Sequence, residues 1–298
     1  MILALTGGTG FVGGHVIRRA LEAGHQVRAL ARRVQPVRAG VSWIAGALDD
    51  PTALAELTAG VEAVIHIAGV VNAPDRAGFA AGNIDGTRAI VAATPPGTRF
   101  VHVSSLSARE PQLSIYGWSK REAEEIVAAS ALAWDMVRPP GIYGPGDMEM
   151  LDVFRLARRG FSITPPAGRA SWIHVDDLAR LLVVLAETPA ERAIYEMDDG
   201  REGGWTHHAF AQAVGVALGR PVRPLALTPG LLRLGARIDR LIRGKRAKLT
   251  ADRVAYFCHP DWTVDPAKRP PVALWTPGIA SETGLRETAE SYRAAGLL

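Results

Sequence analysis

The feature that most constrains this chain is its first two dozen residues, where a short apolar run meets a glycine-spaced turn and then an amphipathic segment. Ile2, Leu3, Ala4 and Leu5 read as a strand buried on both faces of a parallel sheet. Thr6-Gly7-Gly8-Thr9-Gly10-Phe11-Val12-Gly13-Gly14 follows, and residues 16–23 read as a helix with Arg18, Arg19 and Glu22 on its wet side. In that context each glycine of Gly-x-x-Gly-x-x-Gly has its own task. Gly7 permits the tight turn, Gly10 lets backbone N–H groups approach a pyrophosphate, and Gly13 removes a side chain where helix packs on strand. The helix N-terminus adds the partial positive charge an anion needs. Thr9, Phe11 and Val12 share this turn with the glycines. This end of the chain is expected to bind a dinucleotide.

Beyond the turn, strands are expected at 27–31, 41–45, 61–67 and 100–103, separated by helices that include one starting at Asp49-Asp50-Pro51 and one over 82–93. Strand alternating with helix predicts a doubly wound parallel α/β sheet of the Rossmann type. The second strand ends at Ala31, followed by Arg32 and Arg33. NAD-specific sites carry an acidic residue at this strand end for the ribose 2′-hydroxyl, whereas two arginines suit a 2′-phosphate or simply lie in solvent. NADP is therefore the preferred cofactor, with NAD as the alternative.

A second constellation begins at the fifth strand, which ends in Ser104-Ser105. Ligands of open α/β sheets sit at the carboxyl ends of the strands. Tyr116 and Lys120 follow on a predicted helix, four residues apart and hence on one face. An ammonium near a phenol lowers its pKa, so the pair can move a proton near neutrality, with Ser105 orienting the substrate oxygen.

Taken together, the glycine turn, His66-Ile67-Ala68-Gly69, Asn83 ahead of Gly86-Thr87, Ser104-Ser105, Tyr116-x-x-x-Lys120, the stretch from Arg138 to Gly146 and Ile173-His174-Val175-Asp176-Asp177 occur in a fixed order. In this the chain resembles the extended short-chain dehydrogenase/reductases, the group of NAD-dependent epimerases and dehydratases. The resemblance implies Tyr116 as acid/base and Lys120 as the residue that holds the nicotinamide ribose and depresses the tyrosine pKa. It implies Ser105 as the group polarising the substrate carbonyl or alcohol, and Asn83 as a residue shaping the site and its water relay. Ala68, Gly69 and Pro139 would border the cofactor, and Asp176 and Asp177 would brace the sheet end and a helix start rather than touch substrate. No metal is implied. A homodimer built from helices around 83–93 and 116–129 is.

Departures from the family pattern narrow the substrate. Many members acting on nucleotide sugars have Asn where this chain has Gly141, and an arginine where it has Ala170, with Arg169 as a stand-in one residue earlier. Sugar dehydratases place Asp-Glu after the catalytic hydroxyl residue, where this chain has Leu106-Ser107. The pattern is closer to the branch of hydroxysteroid dehydrogenases and flavonol-type reductases. The expected activity is interconversion of a secondary alcohol and a ketone on a fairly apolar small molecule. A sugar or nucleotide-sugar epimerase and a non-catalytic NADP(H)-binding scaffold are the alternatives.

Residues 1–170 are expected to form the cofactor domain and 171–298 a small, mainly helical substrate-binding part, with some segments returning to the sheet. In that part helices are expected at 176–187, 205–218, 231–242, 250–257 and 282–295, with Trp172, Trp205, Tyr256, Phe257 and Trp262 as candidate pocket residues. One cysteine, Cys258, excludes an internal disulfide and fits a reducing cytoplasm. No apolar run approaches the ~20 residues of a membrane span, and a cleaved leader is not expected, since the start lacks a basic region. The net charge of +4 is unevenly spread: residues 231–248 hold seven basic side chains and one acid. Arg233, Arg237 and Arg240 share one helical face, and Leu231, Leu234, Ile238, Leu241 and Ile242 another. Such a segment is either a lid helix with a solvated basic back or a weak contact for an anionic membrane surface. Nucleic acid is not an expected partner, for no reading motif accompanies the basic residues.

Overall fold

The computed structural model of the protein describes residues 1–244 and 250–298, and the chain divides into two compact units. The first comprises Met1–Pro139, Asp176–Glu196 and Pro270–Trp275, and the second Pro140–Val175, Met197–Arg269 and Thr276–Leu298. The boundary expected at residue 170 thus moves back to Pro139. The chain leaves the large sheet there, and Gly141–Tyr143 pairs instead with Trp172–His174 in a sheet of their own. Residues 176–196 then return to the first unit.

The first unit is built on β1 (Ile2–Thr6), β2 (Gln26–Ala31), β3 (Val41–Ala45), β4 (Ala63–His66), β5 (Arg99–Val103) and β6 (Ala133–Arg138). These strands and Ile194–Glu196 make a seven-stranded parallel sheet in the order β3, β2, β1, β4, β5, β6, Ile194–Glu196. This is the doubly wound Rossmann arrangement. Every residue of β4 and β5 is buried, as strands covered by helices on both faces must be. From β1 the sheet grows outward to β3 on one side and from β4 to the last strand on the other. The carboxyl ends of β1 and β4, where Thr6 lies opposite His66, therefore flank the switch-point crevice.

Helix α1 (Phe11–Glu22) buries Gly13, Val16, Ile17 and Ala20. Helix α2 (Pro51–Thr58) starts at Asp50, whose carboxylate accepts the N–H groups of Thr52 and Ala53 at 3.1 Å each, with Pro51 in the first turn. The helix expected over 82–93 begins earlier, at Arg76, and widens to a π-helical turn over Ala80–Asp85. That turn carries Asn83, buried, between two ordinary helical segments. Leu54, Leu57, Ile90, Phe100, Val127 and Trp134 form a core of this unit.

The second unit has a core of Tyr143, Phe154, Phe210, Leu285 and Tyr292. Residues Trp205–Thr206 form a two-residue strand antiparallel to Arg169–Ala170, not the first turn of a helix as expected. The helix begins at His207, with the Thr206 hydroxyl accepting the Ala209 N–H. Most of the aromatic residues considered for a pocket are spent on packing here. Trp172 stacks on Phe210 at 4.0 Å, Tyr256 lies against Trp262 at 4.5 Å, and Trp205 and Trp262 are buried. Phe257 stays half exposed. The Pro229–Arg243 helix covers the basic segment as far as Arg243, whereas Lys245, Arg246 and Lys248 lie outside the described residues. Among the described residues no helix is long and apolar enough to cross a membrane.

Candidate active site

The glycine turn is the floor of the site. Gly7 has φ +77°, in the left-handed region, and its carbonyl accepts the Gly10 N–H at 3.0 Å. A Cβ on Gly13 would stand 2.1 Å from the Gly7 carbonyl oxygen, so only glycine lets α1 close on the turn. No side chain caps α1 at Gly10, and its first turn carries no acid. Helix N-termini leave backbone N–H groups without intrahelical partners, and here no side chain caps them, as an anion site requires. These residues fit the pyrophosphate of a dinucleotide. Arg32 and Arg33 are exposed directly after the carboxyl end of β2, the strand beside β1.

Thr6, His66 and Thr87 join the turn to its neighbours. Thr6 Oγ1 lies 2.7 Å from His66 Nδ1 and accepts the Ala68 N–H at 3.2 Å, and His66 Nε2 lies 3.0 Å from Thr87 Oγ1. Burial pulls His66 down to about 3, with the Lys120 charge adding to it, so the ring is neutral at neutral pH. Gly69 is hemmed in by Asn83, since a Cβ there would stand 2.7 Å from Asn83 Oδ1. Asn83 clamps the same loop from both sides: its Oδ1 accepts the Val70 N–H at 2.7 Å, and its Nδ2 donates to the Val70 carbonyl at 3.0 Å. It also donates to Ser119 Oγ at 2.8 Å. Its contacts are those of a residue that shapes the loop.

Ser105, just past the carboxyl end of β5, and Tyr116, in the first turn of the Ile115–Ala128 helix, come near enough for the serine hydroxyl to act on the phenol. Ser114 starts this helix by accepting the Gly117 N–H at 2.9 Å. Ser107, which sequence reasoning noted only as a departure from the dehydratases, supports the pair: its N–H and hydroxyl both donate to Ser105 Oγ, at 3.2 and 3.0 Å. The Pro139 carbonyl accepts the Leu106 N–H at 2.9 Å and ties this loop to the end of β6.

The electrostatics depart from expectation at one point. Burial pushes the Tyr116 phenol above its ordinary value, and the Ser105 hydroxyl pulls it only partway back. Lys120, expected to depress the tyrosine, donates to the Val103 carbonyl at 2.7 Å. Burial lowers the Lys120 ammonium to about 8, opposed by Glu124 one helical turn on. Glu124 is a residue that sequence reasoning missed. Its carboxylate accepts from Ser104 Oγ at 2.5 Å and takes both arms of Arg138, Nε at 2.8 Å and Nη2 at 2.7 Å. Arg138 also faces Glu196 at 3.5 Å, and Glu196 faces Arg109 at 3.3 Å. A signal existed in the i, i+4 spacing of Tyr116, Lys120 and Glu124. Asp176 pairs with Arg18 and Arg19 of α1, a partnership the sequence did not suggest.

The sequence profile of the NAD dependent epimerase/dehydratase family matches residues 3–197, which spans the turn, Ser105, Tyr116 and Lys120. The chain belongs to that family. It is a member of the extended short-chain dehydrogenase/reductase type, an NAD(P)-dependent enzyme. Ceramide reductase of Caulobacter vibrioides is 37% identical over 312 residues, covering 100% of this chain and 96% of the relative. A 2-alkyl-3-oxoalkanoate reductase of Stenotrophomonas maltophilia is 30% identical, covering 99% of this chain and 100% of the other. A human epimerase family protein crystallised with NADPH shares the fold, with a TM-score of 0.73, 18% identity, and coverage of 97% of this chain and 99% of that one.

Family membership gives meaning to two departures in the second unit. Gly141 stands where many nucleotide-sugar members have Asn, and Trp172 fills the space such a side chain would need. A Cβ on Gly141 would be 2.4 Å from the indole ring. Arg169, the stand-in for a phosphate-binding arginine, donates from Nε to the Gly203 carbonyl at 2.5 Å.

Proposed function

We propose that this family member uses NADPH to reduce a ketone on a long-chain, lipid-like substrate to the secondary alcohol. The observation that carries the proposal is the nearness of the Ser105 hydroxyl to the Tyr116 phenol, with the buried Lys120 one helical turn on. Bound reduced nicotinamide supplies hydride to the carbonyl carbon. Tyr116 gives its proton to the substrate oxygen, and Ser105 holds that oxygen by a hydrogen bond. A phenol pushed upward by burial is protonated at neutral pH and suits the acid of a reduction. The buried Lys120 ammonium would hold the nicotinamide ribose. Arg32 and Arg33 favour the 2′-phosphate of NADPH over NADH.

The lipid character draws on the two relatives above, one named a reductase of ceramide and the other of a 2-alkyl-3-oxoalkanoate. It also draws on Trp172 and Arg169, which leave neither the Asn nor the free arginine that nucleotide-sugar members present. Ser107 in place of a carboxylate argues against dehydration. The test is cofactor consumption at 340 nm by the purified protein, offered an N-acylated long-chain 3-ketone, a short 3-oxoalkanoate, UDP-glucose and UDP-N-acetylglucosamine in parallel. Oxidation of NADPH with the long-chain ketone is expected. Interconversion of a nucleotide sugar without net cofactor consumption would establish the epimerase instead, and cofactor binding with no turnover of any substrate would favour the scaffold.

A further inference from the structure

The Pro229–Arg243 helix carries more apolar surface than its packing uses. Its inner side is Leu232 and Ala236, which cluster with Val254 of the Ala251–Phe257 helix. Leu231, Leu234, Ile238, Leu241 and Ile242 on the same helix are between 47% and 86% exposed. At about 100° per residue these five fall within one arc roughly 100° wide, in the order Leu241, Leu234, Ile238, Leu231, Ile242. Leu232 and Ala236 lie outside that arc, so the docked side and the wet apolar side are different faces. Contiguous apolar strips of this kind on a protein surface mark a partner.

Charge selects the partner. Arg237 borders the arc beside Leu241, Arg233 lies behind it, and both are exposed. The acid on this helix, Asp239, is paired with Arg243 at 3.2 Å. In sequence, residues 233–248 hold seven basic residues and one acid, a local charge of +6 against +4 for the whole chain. An isologous contact with a second copy would bring two such segments together. An anionic lipid surface is complementary to both parts, since phosphates accept the arginines and the headgroup–acyl boundary accepts the leucines. We propose that the Pro229–Arg243 helix docks the protein on an anionic lipid surface, with the five-residue arc inserted and Arg233 and Arg237 at phosphate level. The proposal rests on the exposure and charge of this helix and does not depend on the substrate reading above.

Co-sedimentation of the full chain with vesicles tests it, comparing phosphatidylcholine alone with an equimolar mixture of phosphatidylcholine and phosphatidylglycerol, at low and high salt. Binding to the mixed vesicles at low salt, weakened by salt, is expected. A basic residue near an anionic surface contributes about a factor of five, so Arg233→Ser with Arg237→Ser should weaken binding roughly twenty-five-fold. Leu234→Ser with Leu241→Ser should abolish sedimentation while thermal unfolding stays put, because both side chains are exposed. Failure to sediment with mixed vesicles at low salt overturns the proposal, as does unaltered binding by both variants. Light scattering that shows a dimer in the native chain and a monomer in Leu234→Ser with Leu241→Ser would assign the arc to a second copy and overturn it too.

Discussion

Gly13 and Gly14 sit side by side in the first turns of α1, and replacing each by alanine should have opposite effects. A Cβ on Gly13 would meet the Gly7 carbonyl oxygen at 2.1 Å and the Gly8 Cα at 2.7 Å, whereas one on Gly14 meets no heavy atom within 4 Å. The obstacles at Gly13 are backbone atoms, which cannot rotate aside, so α1 and the turn must separate by about 1 Å to restore ordinary contact. Overpacking of this kind costs about 1–3 kcal/mol. The helix preference of Ala over Gly returns about 1 kcal/mol, leaving a net loss of roughly 0–2 kcal/mol. Cofactor binding suffers more. Hydrogen bonds from the α1 N-terminus to a pyrophosphate work at about 2.7–3.2 Å, and a 1 Å displacement removes at least one. A charge-assisted bond is worth ~1.5–3 kcal/mol, so NADPH affinity should fall roughly 10- to 150-fold in Gly13→Ala. Gly14→Ala should gain up to about 1 kcal/mol and bind NADPH as the native protein does. Urea unfolding and NADPH fluorescence titration on both variants read these effects. Equal cofactor affinities in the two variants would refute the assignment of the turn as the phosphate cradle.

Tyr116→Phe keeps a ring packed against Phe79 at 6.2 Å between centroids. It should therefore retain NADPH affinity while turnover falls ~10²–10⁴-fold, and near-normal turnover would remove Tyr116 from the chemistry. Lys120 is an ammonium below its value of about 8, so reduction should be level through neutrality and decline as pH rises through 8. Glu124→Gln removes the carboxylate that opposes this lowering, and the alkaline limb of the pH–rate profile should move to lower pH; an unmoved limb refutes the coupling. Arg32→Ser with Arg33→Ser should weaken NADPH by about 10- to 100-fold and leave NADH unchanged, read by parallel titrations.

The parts of the fold legible in the sequence are those set by local pattern. The glycine spacing after an apolar run, Asp50-Pro51 at a helix start, and the alternation of strand and helix all act over a few residues, and each reappears in the sheet. What escaped depends on partners far along the chain. Trp205 joins a strand because Arg169–Ala170 pairs with it, thirty-odd residues away, and no helical periodicity reports that. The boundary at Pro139 depends on Gly141–Tyr143 finding Trp172–His174. In the site, i, i+4 spacing put Tyr116 and Lys120 on one face but could not show where the ammonium points. Its hydrogen bond to Val103, and the hold of Glu124 on Arg138, arise from the closeness of β5, β6 and the Ile115–Ala128 helix.

The interleaving of the two units has a consequence for how the protein is made. As the chain leaves the ribosome, the first six strands are complete at Arg138, yet the strand that pairs with the far side of β6, Ile194–Glu196, emerges only after the excursion through 140–175. Until then β6 offers an open edge, the kind of surface that nascent chains use to aggregate. Arg138, buried in the finished protein, has Glu124 for its charge at that stage but not yet Glu196. Trp275, which Arg180 covers at 5.2 Å, arrives later still. A polypeptide stopped at residue 170 would therefore be a kinetic hazard and a poor stand-in for the cofactor-binding half, although it contains every residue assigned to the chemistry.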